Sequence, residues 1–171
     1  MYEEKYCSAC GSPLVLKPCV GEPEPVPYCD TCKEYRFPKF NVAVCTAIFN
    51  KDKTKVLMMR QYGREKFNFL AGYINIGETA EEALPREMME EMGMKPSSVK
   101  YLYTYYFAKT NTLMVNFLTT VDSEDLSGMS ASEVDEARWL TFSEAIANVI
   151  PGGGAEKLIN YVKVEFSNTV K

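Results

Sequence analysis

Residues 72–94 read GYINIGETAEEALPREMMEEMGM, a glycine-flanked loop running into a segment that carries Glu78, Glu87, Glu90 and Glu91 at fixed intervals. Thr79 followed three residues on by Glu82 forms a capping box, so a helix is predicted to begin at Thr79 and run to about Met92, with Gly93 just past its end. On that helix Glu87 and Glu91 stand four apart and Glu90 three from Glu87, which puts all three carboxylates on one face. Carboxylates this close repel one another, and Arg86 is the one basic residue among them. A solvated acidic face would carry that cost without purpose. Bound Mg²⁺ or Mn²⁺ relieves it, because hard cations prefer carboxylate and water oxygens. Pro85 falls near the sixth helical position, where it removes a backbone hydrogen bond at a cost of about 3 kcal/mol. A kink, or a tightened first turn ending near Pro85, is therefore predicted.

The rest of the chain bounds what this segment can do. At 171 residues, 46% of them apolar, it has room for one well-packed domain and a small appendage. The net charge of −4 supplies no basic field for nucleic acid or an anionic membrane, so neither is expected as a partner. No apolar run approaches the ~18 residues of a bilayer span, and the N-terminus MYEEKYCSAC lacks the order of a signal peptide, so a cytoplasmic location is expected. There is no histidine at all, which removes Ser-His and Cys-His dyads and imidazole ligands. Any general base must be a carboxylate, Lys, Tyr or metal-bound hydroxide.

Residues 1–38 read as a separate domain built on metal. Cys7 and Cys10 form one C-x2-C pair, Cys29 and Cys32 a second, with eighteen residues between the pairs, the spacing of a four-cysteine zinc ribbon. Four thiolates around Zn²⁺ close its shell, so the site is structural; reduced free cysteines in a loop are the other reading. Gly11 stands where a knuckle needs positive φ, and GEPEPVPY suits a turn between short strands. So few apolar residues make no core, and metal must provide most of the stability. Cys45 reads as a buried inert thiol, and Cys19 has no assigned role. Glu3, Glu4, Glu22, Glu24, Asp30 and Glu34 suit the ribbon to bracing or dimerising the larger domain rather than to contacting nucleic acid.

Residues 39–171 form the main domain. VAVCTAIFN and VLMMRQY read as a hairpin, and FNFLAGYIN as a third strand leading into Gly72. Arg60, Gln61, Arg64 and Lys66 sit in a polar insert, read as solvated loop or as phosphate or ribose contacts. VKYLYTYYF and LMVNFLTTV read as a second hairpin whose aromatics could equally fill the core or stack on a base. A strand in EVDEARWL, a helix around TFSEAIANV and a last amphipathic helix opened by the glycine run complete the domain.

From Gly72 onward, the positions of Glu78, Arg86, Glu87, Met88, Glu90, Glu91, Gly93 and Met94 match the Nudix box throughout, so the chain closely resembles the Nudix hydrolases. The resemblance implies an α+β fold: an α/β/α sandwich with a mixed sheet, here preceded by the zinc ribbon. It further implies that Glu87, Glu90 and Glu91, with the carbonyl of Ala71, hold Mg²⁺ or Mn²⁺ or orient the attacking water. Glu78 and Arg86 would form a structural ion pair. Such enzymes often add a carboxylate from a later loop; Glu133 matches that place best and Glu136 second, an ordinary surface glutamate being the other reading. A zinc ribbon ahead of this domain is the arrangement of NADH pyrophosphatases. Two features depart from that group: the larger region preceding the ribbon in many of its members is not in this sequence, and Thr104, Tyr105, Tyr106 and Phe107 stand where a Ser-Gln-Pro-Trp motif is usual.

The implied function is metal-dependent cleavage of a pyrophosphate bond in a nucleoside diphosphate linked to another moiety, NAD(H) or ADP-ribose first, with Glu87, Glu90 or Glu133 accepting the proton. A nucleoside triphosphate or sugar nucleotide is the second substrate class, and a non-hydrolysing nucleotide sensor the rival. Arg60, Tyr105, Phe107, Thr112 and Ala155 are the candidate substrate contacts, and a homodimer is implied by the family.

Overall fold

The computed structural model describes residues 4–169, so Glu3 and the outermost ends of the two expected domains lie outside the described residues. The chain divides into two compact units, one running to Asn41 and including Phe107–Thr112, the other comprising Val42–Tyr106 and the chain from Leu113 onward.

The smaller unit holds three short antiparallel strands, β1 (Val15–Lys17), β2 (Val26–Cys29) and β3 (Glu34–Tyr35), in that order. The prolines and glycine of the β1–β2 connection cannot extend a ladder, which keeps the strands short. Among its described residues up to Asn41, the buried apolar side chains are Cys7, Val26 and Cys29, too few to fold on hydrophobic burial. The two C-x2-C segments form equivalent knuckles. Gly11 N–H donates to the Cys7 carbonyl and Lys33 N–H to that of Cys29, each at 2.8 Å, with Gly11 and Lys33 both left-handed at φ 74° and 61°.

The larger unit is organised on a six-stranded sheet. Its strands are β4 (Asn41–Phe49), β5 (Val56–Arg60), β6 (Leu70–Tyr73), β7 (Ser98–Phe107), β8 (Thr112–Thr120) and β9 (Glu136–Leu140), in the order β7-β8-β4-β5-β9 with β6 beside β4. β4 serves two antiparallel partners, β6 through residues 43–46 and β5 through Ile48 and Phe49. Along β8 the contacts advance in step with β4, Thr119 meeting Thr46 at 3.1 Å and Val121 N–H donating to the Phe49 carbonyl at 3.0 Å. That pairing is parallel and makes the sheet mixed.

Strand alternation divides the core into two layers. Val44, Ile48, Leu57 and Met59 join Leu84, Met88 and Met92 of the first helix, α1 (Ala80–Met92). Ala47, Phe49, Val56 and Met58 face the other way, onto α2 (Phe142–Asn148) and α3 (Gly154–Thr169) through Ala145, Leu158, Ile159 and Val162. The result is the expected α/β/α sandwich. Among the described residues no helix is long and apolar enough to cross a membrane.

Helix α1 starts and stops as its sequence dictates. The Thr79 hydroxyl accepts from Glu82 N–H and the Glu82 carboxylate from Thr79 N–H, while Gly93 ends the helix at φ 65°. Gly93 N–H reaches the Met89 carbonyl and Met94 N–H the Met88 carbonyl, the Schellman arrangement. The expectation of a turn ending near Pro85 is corrected: the helix continues unbroken through it to Met92. Proline deprives only the Glu81 carbonyl of a partner, at an exposed residue open to water. Both caps and the burial of Leu84, Met88 and Met92 outweigh that single loss.

Candidate functional site

Strand β6 delivers the chain to α1 through Gly72 and packs against that helix. The reason for glycine is contact. A Cβ added at Gly72 would lie 1.9 Å from the Glu87 carboxyl carbon, so the carboxylate rests directly on the backbone of β6. Ala71 lies half-buried one residue earlier, paired with Cys45 of β4.

Arg86 ties this corner together. Its guanidinium grips Glu78 at two points, Nε to Oε1 at 2.6 Å and Nη2 to Oε2 at 2.8 Å, and Nη2 also donates to the Tyr73 carbonyl at 3.0 Å. Nη1 bridges Glu87 at 2.7 Å and Glu90 at 2.9 Å. The loop before the helix, the strand and two helix carboxylates thus share one cation. The bidentate grip of Arg86, with help from Asn75 N–H, holds the Glu78 carboxyl down at about 2. Arg86 therefore does more than the ion pair with Glu78 that the sequence suggests.

Glu91 sits on the same face of α1 and is treated differently. It is 5% exposed, and its Oε2 is buried without a hydrogen-bond partner. Burial, reinforced by the charges of Glu87, Glu133 and Glu90, pushes its carboxyl up to about 7. The Gln61 side chain lies near enough to oppose the rise, although its amide nitrogen completes no hydrogen bond of good geometry.

Glu133 reaches this region from the loop between β8 and β9. Ser130 N–H donates to the Glu91 carbonyl at 2.9 Å, and Glu133 N–H to the Ser130 carbonyl at 3.2 Å. Farther back, Gly128 crosses Gly93 so closely that a Cβ on Gly93 would meet the Gly128 carbonyl oxygen at 2.7 Å. Two glycines let the loop lie on the end of α1 and carry Glu133 to Glu91. Glu136, the second candidate for that role, is engaged elsewhere, on β9 with Arg60 and Arg138.

The candidate substrate contacts are dispersed. Arg60, the last residue of β5, pairs with Glu136 and covers the Phe67 ring at 5.2 Å, on the α2 and α3 side of the sheet rather than the α1 side. Tyr105 also lies toward α3, its hydroxyl 2.5 Å from where a Cβ on Gly154 would stand, and Ala155 packs on the second core layer. Phe107 is exposed. Thr112 is 1% exposed and its hydroxyl donates to the Thr110 carbonyl. Sequence reasoning read Gln61 only as part of a polar insert and did not single out Gly128; strand parity counted from Leu57 and Met59 would have put Gln61 on the α1 side, whereas nothing local marks Gly128.

In the smaller unit the Sγ atoms of Cys7, Cys10, Cys29 and Cys32 all lie within 4.8 Å of one another. Cys7 and Cys32 are 3.9 Å apart and Cys10 and Cys29 3.5 Å, near the ~3.8 Å between sulfurs in a tetrahedral zinc site. The Arg36 guanidinium donates to Cys7 Sγ at 3.2 Å and lowers its thiol to about 6, favouring the thiolate that binds metal. These four residues fit a structural zinc ion. Cys19 lies outside the cluster, turned toward the Val20 carbonyl. Cys45 is half-buried as a residue but its sulfur is enclosed, and desolvation pushes the thiol up to about 12, in keeping with an inert role.

Known proteins share this organisation. The NAD-capped RNA hydrolase NudC of Salmonella schwarzengrund (strain CVM19633) is 29% identical over 155 residues, covering 91% of this chain and 58% of that protein. Its counterpart in Shigella dysenteriae serotype 1 (strain Sd197) is 28% identical with the same coverage, so the chain spans little more than half the length of these curated relatives. Among solved structures, the NUDIX domain of Shewanella oneidensis NrtR complexed with ADP ribose matches with a TM-score of 0.64 at 17% identity, over 81% of this chain and 94% of that one. At that identity the likeness shows the fold alone. The NUDIX domain family matches residues 39–158, well over half of the sequence, and the chain belongs to that family.

Proposed function

We propose that the protein hydrolyses the pyrophosphate bond of a nucleoside diphosphate linked to another moiety, with NAD(H) or ADP-ribose as the first substrate class. The observation that carries this reading is Glu91: a buried carboxylate oxygen without a partner, beside Glu87 and within reach of the charges of Glu90 and Glu133. A carboxylate held so is incomplete until it takes a proton or a cation. The donor set is all oxygen, from Glu87, Glu90, Glu91 and the Ala71 carbonyl, which suits Mg²⁺ or Mn²⁺. Bound there, divalent ions would polarise the phosphoryl oxygens and lower the pKa of the attacking water. The chain's own part is to hold Glu87 against Gly72, to keep Glu78 and Arg86 clamped, and to present Glu133 as the group that takes the water's proton. The four cysteines would hold Zn²⁺ and keep the ribbon, residues 1–38, folded, and residues 39–171 would form the catalytic domain.

The activity printed for the curated relatives extends the substrate class, since an RNA capped with NAD presents the same pyrophosphate at its 5′ end. With a net charge of −4, this chain would recognise such an RNA through the nucleotide cap rather than through a general field. A nucleoside triphosphate or sugar nucleotide is the alternative substrate, and a non-hydrolysing nucleotide sensor the alternative role. We propose a cytoplasmic homodimer, which light scattering would register as twice the chain mass.

The test is Mg²⁺- or Mn²⁺-dependent cleavage of NADH, NAD⁺ and ADP-ribose, read as AMP, and of NAD-capped RNA, read as nicotinamide mononucleotide and 5′-monophosphorylated RNA, alongside a nucleoside triphosphate and a sugar nucleotide read as their nucleoside monophosphates, by wild type and Glu91→Gln. Turnover of the dinucleotide members that Glu91→Gln abolishes is expected. A wild-type protein inert on every member while still binding ligand would leave the sensor.

A further inference from the structure

Among the described residues, three buried side-chain polar atoms lack a hydrogen-bond partner: Arg60 Nε, Gln61 Nε2 and Glu91 Oε2. Leaving such a group unpaired is costly, so folded proteins keep few of them. Strand alternation separates the three. Along β5, Val56 and Met58 enter the α2 and α3 layer and Leu57 and Met59 the α1 layer. Arg60 follows the first pair, onto the Phe67 ring. Gln61 follows the second and comes to Glu91.

A donor and an acceptor, both buried and both unpaired, therefore lie side by side. Neither atom is open to bulk solvent. A carboxylate oxygen accepts from a carboxamide N–H a charge-assisted bond roughly twice as strong as a neutral pair makes.

We infer that Gln61 is a positioning residue for Glu91: its carboxamide N–H is the donor available to the unpaired Glu91 carboxylate oxygen, and fixes the carboxylate's orientation while a divalent cation is held. The inference rests on the reading above that Glu91 helps hold that cation. Partners of this kind commonly change metal affinity by about 10- to 100-fold when removed.

The experiment titrates the zinc-loaded full chain at pH 8 with Mn²⁺ alone and reads free Mn²⁺ by electron paramagnetic resonance. Gln61→Met, similar in length but without a donor, should bind Mn²⁺ about 10- to 100-fold more weakly than wild type. Gln61→Leu is the second variant should the first fold poorly, and thermal melting without Mn²⁺ verifies each. In a Glu91→Gln background, Gln61→Met should cost nothing further, because the group it positions is gone. Equal affinity in Gln61→Met and wild type overturns the inference, and so does a loss that persists undiminished in the Glu91→Gln background. If Glu91→Gln alone leaves Mn²⁺ affinity unchanged, the metal reading of Glu91 fails as well; if it weakens binding while Gln61→Met does not, only the role of Gln61 fails.

Discussion

Replacing Glu91 by glutamine tests the electrostatics of the site without any substrate. Burial, with the charges of Glu87, Glu133 and Glu90, holds the Glu91 carboxyl at about 7 in the folded protein. In the unfolded chain it ionises as an ordinary glutamate, near ~4.3. Between these values the folded state carries a proton that the unfolded state has released, so stability falls as pH rises through this window. Below both values the group contributes nothing; above about 7 the full penalty is present. Each pK unit corresponds to about 1.4 kcal/mol, which puts the penalty at about 3–4 kcal/mol at pH 8.

Glu91→Gln keeps the shape and removes the titration. Whatever fixed cost the new amide brings is the same at both ends of the pH range and cancels. The stability difference between variant and wild type should therefore move in the variant's favour by about 3–4 kcal/mol between pH 4 and pH 8. The assay is urea unfolding at both pH values in buffer stripped of free divalent ions, with the zinc site loaded. Fluorescence of Trp139 follows it, since that residue is the one tryptophan of the chain and packs on the α1 core layer. Adding Mg²⁺ at pH 8 should stabilise wild type more than the variant. A difference that stays constant with pH, or moves in favour of wild type as pH rises, would refute the reasoning.

Three further outcomes follow from contacts at the site and the ribbon. Gly72→Ala drives a Cβ into the Glu87 carboxyl and should lower kcat/KM on the best substrate by about 100-fold with the fold retained, read by steady-state kinetics beside a melting curve. Gly128→Ala places a Cβ 3.0 Å from the Gly93 Cα and lifts the loop that carries Glu133; a fall in kcat larger than the change in KM is expected, and unchanged kinetics would detach that loop from the reaction. Cys29→Ser should lose the zinc, about one per chain by metal analysis in wild type, and open the ribbon to proteolysis while leaving the Trp139 transition in place.

Local chemistry made much of this legible in the sequence. The helix bearing the glutamates is bounded by Thr79 and Gly93, whose roles depend on neighbours within a few residues, and the zinc cluster is announced by two C-x2-C pairs that each close their own knuckle. Pro85 misled because a single proline was weighed alone, against two caps and three buried side chains that favour continuity. Arg60 and Gln61 were illegible for a different reason. Both stand at the end of β5, and a one-residue uncertainty in where a strand stops exchanges which side chain meets which layer. Gly128 is further from reach, because its meaning lies in Gly93, thirty-five residues away in the chain.

How the glutamates divide a single arginine explains why they differ. Three carboxylates, those of Glu78, Glu87 and Glu90, share one guanidinium, while Glu91 feels the charges of Glu87, Glu133 and Glu90. Arg86 satisfies Glu78 completely and Glu87 and Glu90 by one bond each, and reaches no farther. Glu91, one turn on from Glu87 and 5% exposed, is left with charge that Arg86 does not share and an oxygen that no described residue pairs with good geometry. A second arginine there would quench the site and leave nothing for a cation to do. Nor would an anionic pyrophosphate enter such a field unaided. On the hydrolytic reading, the same unbalanced charge that costs the empty fold about 3–4 kcal/mol at pH 8 is what draws divalent ions to Glu91, and the ions in turn make the site habitable for the substrate.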